Sequence, residues 1–265
     1  MSETQKTLVN YSTDSGVAVI ELCNPPANAY SYEMFRQVDD AILQARFDDE
    51  VHVLLLRGAG EKFFCAGADI SMLDGVSPAF KYNFCLHANE TLLRLENTNK
   101  LVIAAIDGHC VGGGLEVAMA ADLRIARAGK GKIGLPEAKL GVLPGTGGTQ
   151  RLSRLVGKSK SIEMMIESAM MTPEEAAKVG LVNKLFEGDD YWEQVMRYAA
   201  SFCPPGRASK AVGYIKRAVQ SGQDLSLESG LALERELQQQ LFQSDDAKEG
   251  ISAFVGKRDA VFSGR

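Results

Sequence analysis

The sequence has no Gly-x-Ser-x-Gly elbow and no Cys-x-x-Cys pair, and its three histidines (His52, His87 and His109) are widely dispersed. A serine nucleophile of the elbow type, a thioredoxin-like dithiol and a local zinc motif are therefore not legible in it. Its five cysteines, Cys23, Cys65, Cys85, Cys110 and Cys203, are an odd number without paired spacing. Reduced, mostly buried thiols in a cytoplasmic setting fit that usage better than a disulfide framework. Basic charge is also in deficit, with 29 Lys and Arg against 34 Asp and Glu for a net −5. That balance argues against nucleic acid as the main ligand. The longest strongly apolar segments, such as Leu101–Ile106, fall far short of the ~20 residues needed to cross a bilayer. The polar, acid-bearing stretch Met1-Ser-Glu-Thr-Gln-Lys6 resembles neither a secretory signal nor a transit peptide. The expectation is a soluble, cytoplasmic protein without a membrane partner.

What is present describes an ordinary globular chain. The 265 residues are 45% hydrophobic and 24% charged, enough to bury a sizeable core. Short β-type runs recur at Val17–Leu22, Val53–Leu56, Val102–Ile106, Leu123–Ala126 and Val182–Phe186. Helical patterns lie between several of them. Ser31 reads as a cap for a helix whose apolar face is Met34, Val38, Ala41, Ile42 and Ala45. A second helix, from about Pro78 to Leu95, carries Phe80, Phe84, Ala88, Leu92 and Leu95. A third has Thr172 as cap, Pro173 in the first turn, Glu175 closing a capping box and Gly180 beyond its end. Strands alternating with helices predict an α/β body. After a boundary near 190–205 every segment reads as helix, with Asp246 and Glu249 as a capping pair in the last one. The expected division is a catalytic body over 1–200 and a helical region over 201–265.

Many of the 26 glycines lie between Gly108 and Gly157, so nucleotide motifs need testing first. Gly129-Lys-Gly-Lys-Ile-Gly134 matches Gly-x-Gly-x-x-Gly, but Pro136 follows almost at once and position 154 is Arg, where an acid belongs. A turn is the better reading. Gly157-Lys158-Ser159 lacks the earlier glycine of a phosphate loop, and Pro144–Thr149 lacks its lysine. Gly112-Gly113-Gly114 carries more meaning, because it immediately precedes the small and apolar stretch Leu115–Ala121. Tandem glycines at a helix start expose bare N–H donors to an approaching group. Glu116 lies one turn inside that helix, and Gly134-Leu-Pro-Glu137 follows. Upstream, Cys65-Ala-Gly-Ala68-Asp69-Ile70 forms another turn into helix. Two carboxylates and two backbone-donor turns suit acid–base chemistry beside a thioester or ketone. Taken singly, each has a plainer reading: Glu116 as a solvated helix position, Glu137 as a helix-opening acid, the glycines as close packing.

The ordered set resembles the crotonase, or enoyl-CoA hydratase/isomerase, superfamily over nearly the whole chain. The similarity runs through Asn24–Ala29, Phe63–Ile70, Val102–Gly108, Gly112–Asp122, Gly134–Glu137, Leu143–Leu152 and Glu249–Arg258. It implies a body of β-β-α repeats wound into a spiral and an all-helical C-terminal region that builds trimers, often paired as hexamers. It implies an acyl-CoA substrate, with Ala66 and the stretch Ala68, Asp69, Ile70 and Ser71 lining the CoA and thioester site. The N–H groups of Ala68 and Gly113 would hold the thioester oxygen. Glu116 and Glu137 match the two catalytic glutamates of the hydratase branch, which adds water across a trans-2-enoyl-CoA to give a 3-hydroxyacyl-CoA. No metal or redox cofactor is implied, coenzyme A being part of the substrate. Met72, Leu73, Phe80 and Phe84 would wall the acyl pocket or serve as core. Phe254 and Lys257 match a terminal aromatic–lysine pattern that reaches the CoA phosphates of a neighbouring subunit. Leu233, Leu237 and Leu241 form a stripe that needs a partner.

The chain departs from the family pattern at Leu101, in place of a common proline, and at Asp107, in place of a common asparagine. One residue is added in the turn Gly129–Gly134, and Ile166-Glu167-Ser168 replaces Leu-Thr-Gly beside the acyl pocket. Alternative readings are double-bond isomerisation, hydration of a branched or alicyclic enoyl-CoA, and an RNA-binding or scaffold role on the same fold.

Overall fold

The computed structural model describes residues 6–265; the reading of the N-terminal segment rests largely on residues 1–5, outside that range. The chain opens with a hairpin, β1 (Val9–Asp14) and β2 (Val17–Leu22), followed by α1 (Tyr32–Phe47). Next come β3 (Val53–Gly58), the short β4 (Phe63–Cys65), the single turn α2 (Ile70–Leu73) and the long α3 (Pro78–Glu96). The same unit recurs as β5 (Leu101–Ile106), β6 (His109–Val111) and α4 (Gly113–Met119). It recurs again as β7 (Leu123–Arg127), β8 (Ile133–Gly134) and a 3-10 turn at Glu137–Leu140. Then α5 (Gly148–Val156), α6 (Lys158–Ile166) and α7 (Pro173–Lys178) lead into β9 (Lys184–Phe186). The last four helices are α8 (Tyr191–Ala200), α9 (Ser209–Gly222), α10 (Leu227–Phe242) and α11 (Asp245–Val255).

Each repeat gives one strand to each of two sheets. The larger has the order β1-β2-β3-β5-β7-β9, parallel except for the opening hairpin, and the smaller is the parallel set β4-β6-β8. The chain turns a tight corner between the paired strands. At Gly108 (φ +120°) an added Cβ would overlap the Lys62 carbonyl of the preceding corner, so the repeats stack corner on corner only with glycine there.

The inner strands β2, β3 and β5 read as largely continuous apolar runs because both faces of the large sheet are covered there. Ile20, Leu54, Leu56, Val102, Ala104 and Ile106 point to the core beneath α1 and α3. Val17, Val19, Val53, Leu55, Ile103 and Ile125 point the other way, against Tyr191, Val195 and Ala199 of α8. Thus α8 closes the outer face of the body. Past it, α9 is tied to the body by the buried Lys216, whose Nζ lies 2.9 Å from Asp122 Oδ2 and donates to the carbonyls of Leu95 and Lys100.

Helix starts follow their side-chain caps. Ser31 Oγ accepts from Met34 N, and Thr172 and Glu175 close a reciprocal capping box. The last helix differs from expectation. Ser244 is its cap, while the Asp246 carboxylate turns away to accept from Ser263 N and Oγ and Gly264 N, and Glu249 grips Arg258. A returning tail of the same chain outcompetes the helix start for both acids. The stripe on α10 also has its partner within the chain: α10 packs on α9, with Leu237 buried. Outward-facing apolar side chains of this region include Leu227, Phe242, Ile251, Phe254 and Val255. Among the described residues no helix is long and apolar enough to cross a membrane.

Candidate active site

Three turns converge where the two sheets meet α4. The first follows β4. The N–H of Tyr30 donates to Gly67 O, and Asp69 N–H donates back to Tyr30 O, both at 2.9 Å. This short parallel bridge uses the Gly67 carbonyl on one side of Ala68 and the Asp69 N–H on the other. The second turn is Gly112–Gly114. Gly112 has φ +56° and ψ −131°, which lets the chain leave β6 and start α4 without a side-chain cap. A Cβ on Gly67 would stand 2.9 Å from the Gly113 nitrogen, so the two turns face each other closely. Neither the Ala68 nor the Gly113 N–H donates to another group among the described residues.

Glu116, a turn into α4, is 2% exposed. Its Oε1 accepts from the N–H groups of Thr146 (2.8 Å) and Gly148 (2.7 Å), and its Oε2 accepts from Thr146 Oγ1. The loop Pro144–Gly148 is thus wrapped around one carboxylate, used wholly as an acceptor. Arg151 holds that loop from behind: its guanidinium forks onto Glu96 of α3 and reaches Thr146 O.

Glu137 begins the 3-10 turn after β8 and lies against Gly112, where an added Cβ would be 2.9 Å from its Oε1. Its Oε2 is buried and has no hydrogen-bond partner. Burial pushes its pKa up to about 7, with the negative charge of Glu116 adding to the rise, against opposing effects of its backbone hydrogen bond and Lys81. Two carboxyl groups therefore flank one pair of backbone donors, one fully hydrogen-bonded and one with a proton available near neutrality. In the turn Gly129–Gly134, which carries the added residue, Gly129 N–H bonds Glu174 and Lys130 pairs with Glu61, and Ile133–Gly134 keep register with Cys110–Val111 ahead of Glu137. That turn leads into a strand and opens no helix.

The match to the enoyl-CoA hydratase/isomerase family model spans residues 12–265. The chain belongs to the enoyl-CoA hydratase/isomerase family. It is 37% identical to the short-chain-enoyl-CoA hydratase of Clostridium acetobutylicum over 91% of this chain and 92% of that one. It is 34% identical to the 2,3-dehydroadipyl-CoA hydratase of Escherichia coli, over 96% and 98% of the two chains. The structure of an enoyl-CoA hydratase from Geobacillus kaustophilus HTA426 superposes with a TM-score of 0.95 at 43% identity, covering 99% of this chain and 98% of that one. The spiral is the crotonase fold expected from the sequence.

Other residues expected at the family's site fall into two groups. Ala66 N–H bonds Ala27 O beside the Ala68 turn. Asp69 is occupied in capping α2: its Oδ1 accepts from Ser71 N and Oγ, and these bonds hold its carboxyl below the usual range. Ile70 is exposed, while Met72 and Leu73 are half-buried on the same turn. Phe84, at 2% exposure, packs edge-on to Phe35 and against Tyr30 and belongs to the core, whereas Phe80 on the same helix is 40% exposed. Pro78–Phe80 at the start of α3 are exposed, and Phe84 is the first buried residue of the helix, so of the two it is Phe84 that takes the core reading. Lys257 makes no bond to a site residue among those described, and it follows Phe254, which is 86% exposed. Thr146, Gly148, Lys81 and Tyr30 join the site without having been singled out for it. The segment Pro144–Thr149 was the one available signal, as a glycine loop adjoining a helix and lacking a phosphate-loop lysine.

Proposed function

We propose that the chain is an enoyl-CoA hydratase working through Glu116, Glu137 and the N–H groups of Ala68 and Gly113. The observation that carries this reading is the pair of unlike carboxyl groups, one all-accepting and the other raised to about 7, set around the same glycine turn. In the forward direction water oxygen bonds to C3 of a trans-2-enoyl thioester while Glu116 takes a water proton. The π electrons move towards the thioester oxygen, whose developing charge the Ala68 and Gly113 N–H groups receive, and Glu137 delivers its proton to C2. The two carboxyls then re-equilibrate one proton through solvent. A single preorganised donor is worth ~2.7–4 kcal/mol to such a transition state, and positioned acid–base groups ~10²–10⁴-fold in rate. The thioester acidifies C2 itself, so this route calls for no metal or redox cofactor.

The same reading takes acyl-CoA as the substrate and a homotrimer or homohexamer in the cytoplasm as the working form, consistent with the apolar side chains left outward on α10 and α11. A panel of straight-chain, branched and cyclic enoyl-CoAs tests it through loss of the enoyl-thioester ultraviolet absorbance. Conversion of 3-enoyl substrates without hydration of any 2-enoyl-CoA would replace hydratase by isomerase.

A further inference from the structure

Tyr30 is buried beside both donor turns and the Glu116 carboxylate, and nothing so far gives its hydroxyl a task. Its backbone frames Ala68 through the two bonds to Gly67 and Asp69. Its ring is fixed edge-on by Phe35 at 4.6 Å between centroids and meets Phe84 in a tilted contact at 5.9 Å. Its hydroxyl occupies the space a Gly113 side chain would need, and lies 3.3 Å from Thr146 Oγ1.

The direction of that last bond follows from what surrounds it. A threonine hydroxyl has one proton, and Thr146 directs it at Glu116 Oε2. Its lone pairs are then what face Tyr30, so the phenol must be the donor. We propose that Tyr30 is a positioning residue for Glu116: Tyr30 Oη donates to Thr146 Oγ1, Thr146 Oγ1 donates to Glu116 Oε2, and this directed chain sets the orientation and basicity of the carboxylate. Successive donors in one direction polarise each other, so the end donor strengthens the bond it does not itself make. Burial, with the charge of Glu116 and the nearby thiols of Cys65 and Cys85, holds the phenol above its usual pKa, and it stays a donor through the working range. Ring packing keeps it there at little entropic cost. The inference rests on the two-glutamate reading for its catalytic consequence, but not for its effect on Glu116 itself.

The test therefore has one arm without substrate and one with it. In the first, the Glu116 carboxylate band, assigned by its loss in Glu116→Gln, is titrated by infrared spectroscopy in the wild type and in Tyr30→Phe. The variant keeps the ring and loses only the donor, and the midpoint should move up, because a bond to the charged form has been weakened, by about half a pH unit. In the second arm kcat on the best enoyl-CoA should fall about three- to tenfold, with KM within about twofold. Thr146→Val should reproduce both effects and abolish any further effect of Tyr30→Phe, while Thr146→Ser restores the wild-type behaviour. An unshifted midpoint in Tyr30→Phe, or independent, additive effects of the Tyr30 and Thr146 substitutions, overturns the proposal. A midpoint that shifts as expected in Tyr30→Phe, together with a wild type that hydrates no enoyl-CoA, overturns the hydratase reading and leaves the relay standing.

Discussion

Glu137 Oε1 lies against Gly112, close enough that a single added carbon on the glycine would stand 2.9 Å away. The glycine turn thus has the second carboxyl as one wall, and Glu116 enters the same space from the following helix. The two acids sit in unlike surroundings, Glu116 fully hydrogen-bonded and Glu137 with its Oε2 buried and unpartnered.

Replacing either acid by its amide keeps shape and removes proton transfer. Glu116→Gln and Glu137→Gln are each expected to cut turnover at least ~10²-fold while acyl-CoA binding persists. Steady-state kinetics with a binding titration of a non-reacting thioester check this; near-normal turnover in either variant would sink the two-carboxyl mechanism.

The raised pKa of Glu137 has consequences for both rate and stability. As proton donor it is lost as pH rises through about 7, so kcat/KM should show an alkaline limb there. Its unfolded value is near 4.5, so between that pH and about 7 the folded chain holds a proton that the unfolded chain releases. Stability then falls as pH rises through the window. Glu137→Gln should therefore melt higher than wild type at pH 8, with the advantage vanishing towards pH 4.5. Melting curves at pH 5, 6, 7 and 8 decide it, and a constant difference across them would contradict the assigned burial.

Gly113→Ala should damage both fold and activity. The methyl group would collide with the Tyr30 hydroxyl and ring, an overpacking cost of ~1–3 kcal/mol. The N–H beside Ala68 would shift with it. Denaturant unfolding and kinetics on the variant should show both losses together.

Phe84 and Phe80 make a contrast within one helix. Phe84→Ala should cost ~3–5 kcal/mol as a core cavity. Phe80, at 40% exposure, should cost much less on replacement by alanine and change the ranking of acyl substrates more. Unfolding curves and the enoyl-CoA panel separate the two outcomes.

Deletion of residues 245–265 removes α11 and the tail that Asp246 and Glu249 hold. It is expected to weaken both self-association and CoA affinity, whereas Lys257→Ala weakens affinity alone. Light scattering and a CoA titration check both; a truncated chain that assembles and binds CoA normally would refute the assignment of this region.

The elements legible from sequence are those whose cause is local. β2, β3 and β5 stood out because burial on both faces makes each a largely continuous apolar run, and α1 and α7 because Ser31 and Thr172 cap them within one turn. The short strands β4, β6 and β8 were missed, since two or three residues show no period. The Asp246–Glu249 cap was misread because the groups that claim those acids lie at 258–264.

By itself the sequence determined the α/β body, the family and the two glutamates beside glycine turns, because caps, periodicity and motif order all act between near neighbours. Only the tertiary structure decided that Phe84 is core while Phe80 is not, and that the α10 stripe is covered by α9. It alone brought Thr146 to Glu116 across 30 positions and Tyr30 to Thr146 across 116. Which donor reaches a buried carboxylate, and how far burial raises its neighbour's pKa, depends on distances through space that successive turns of the spiral create.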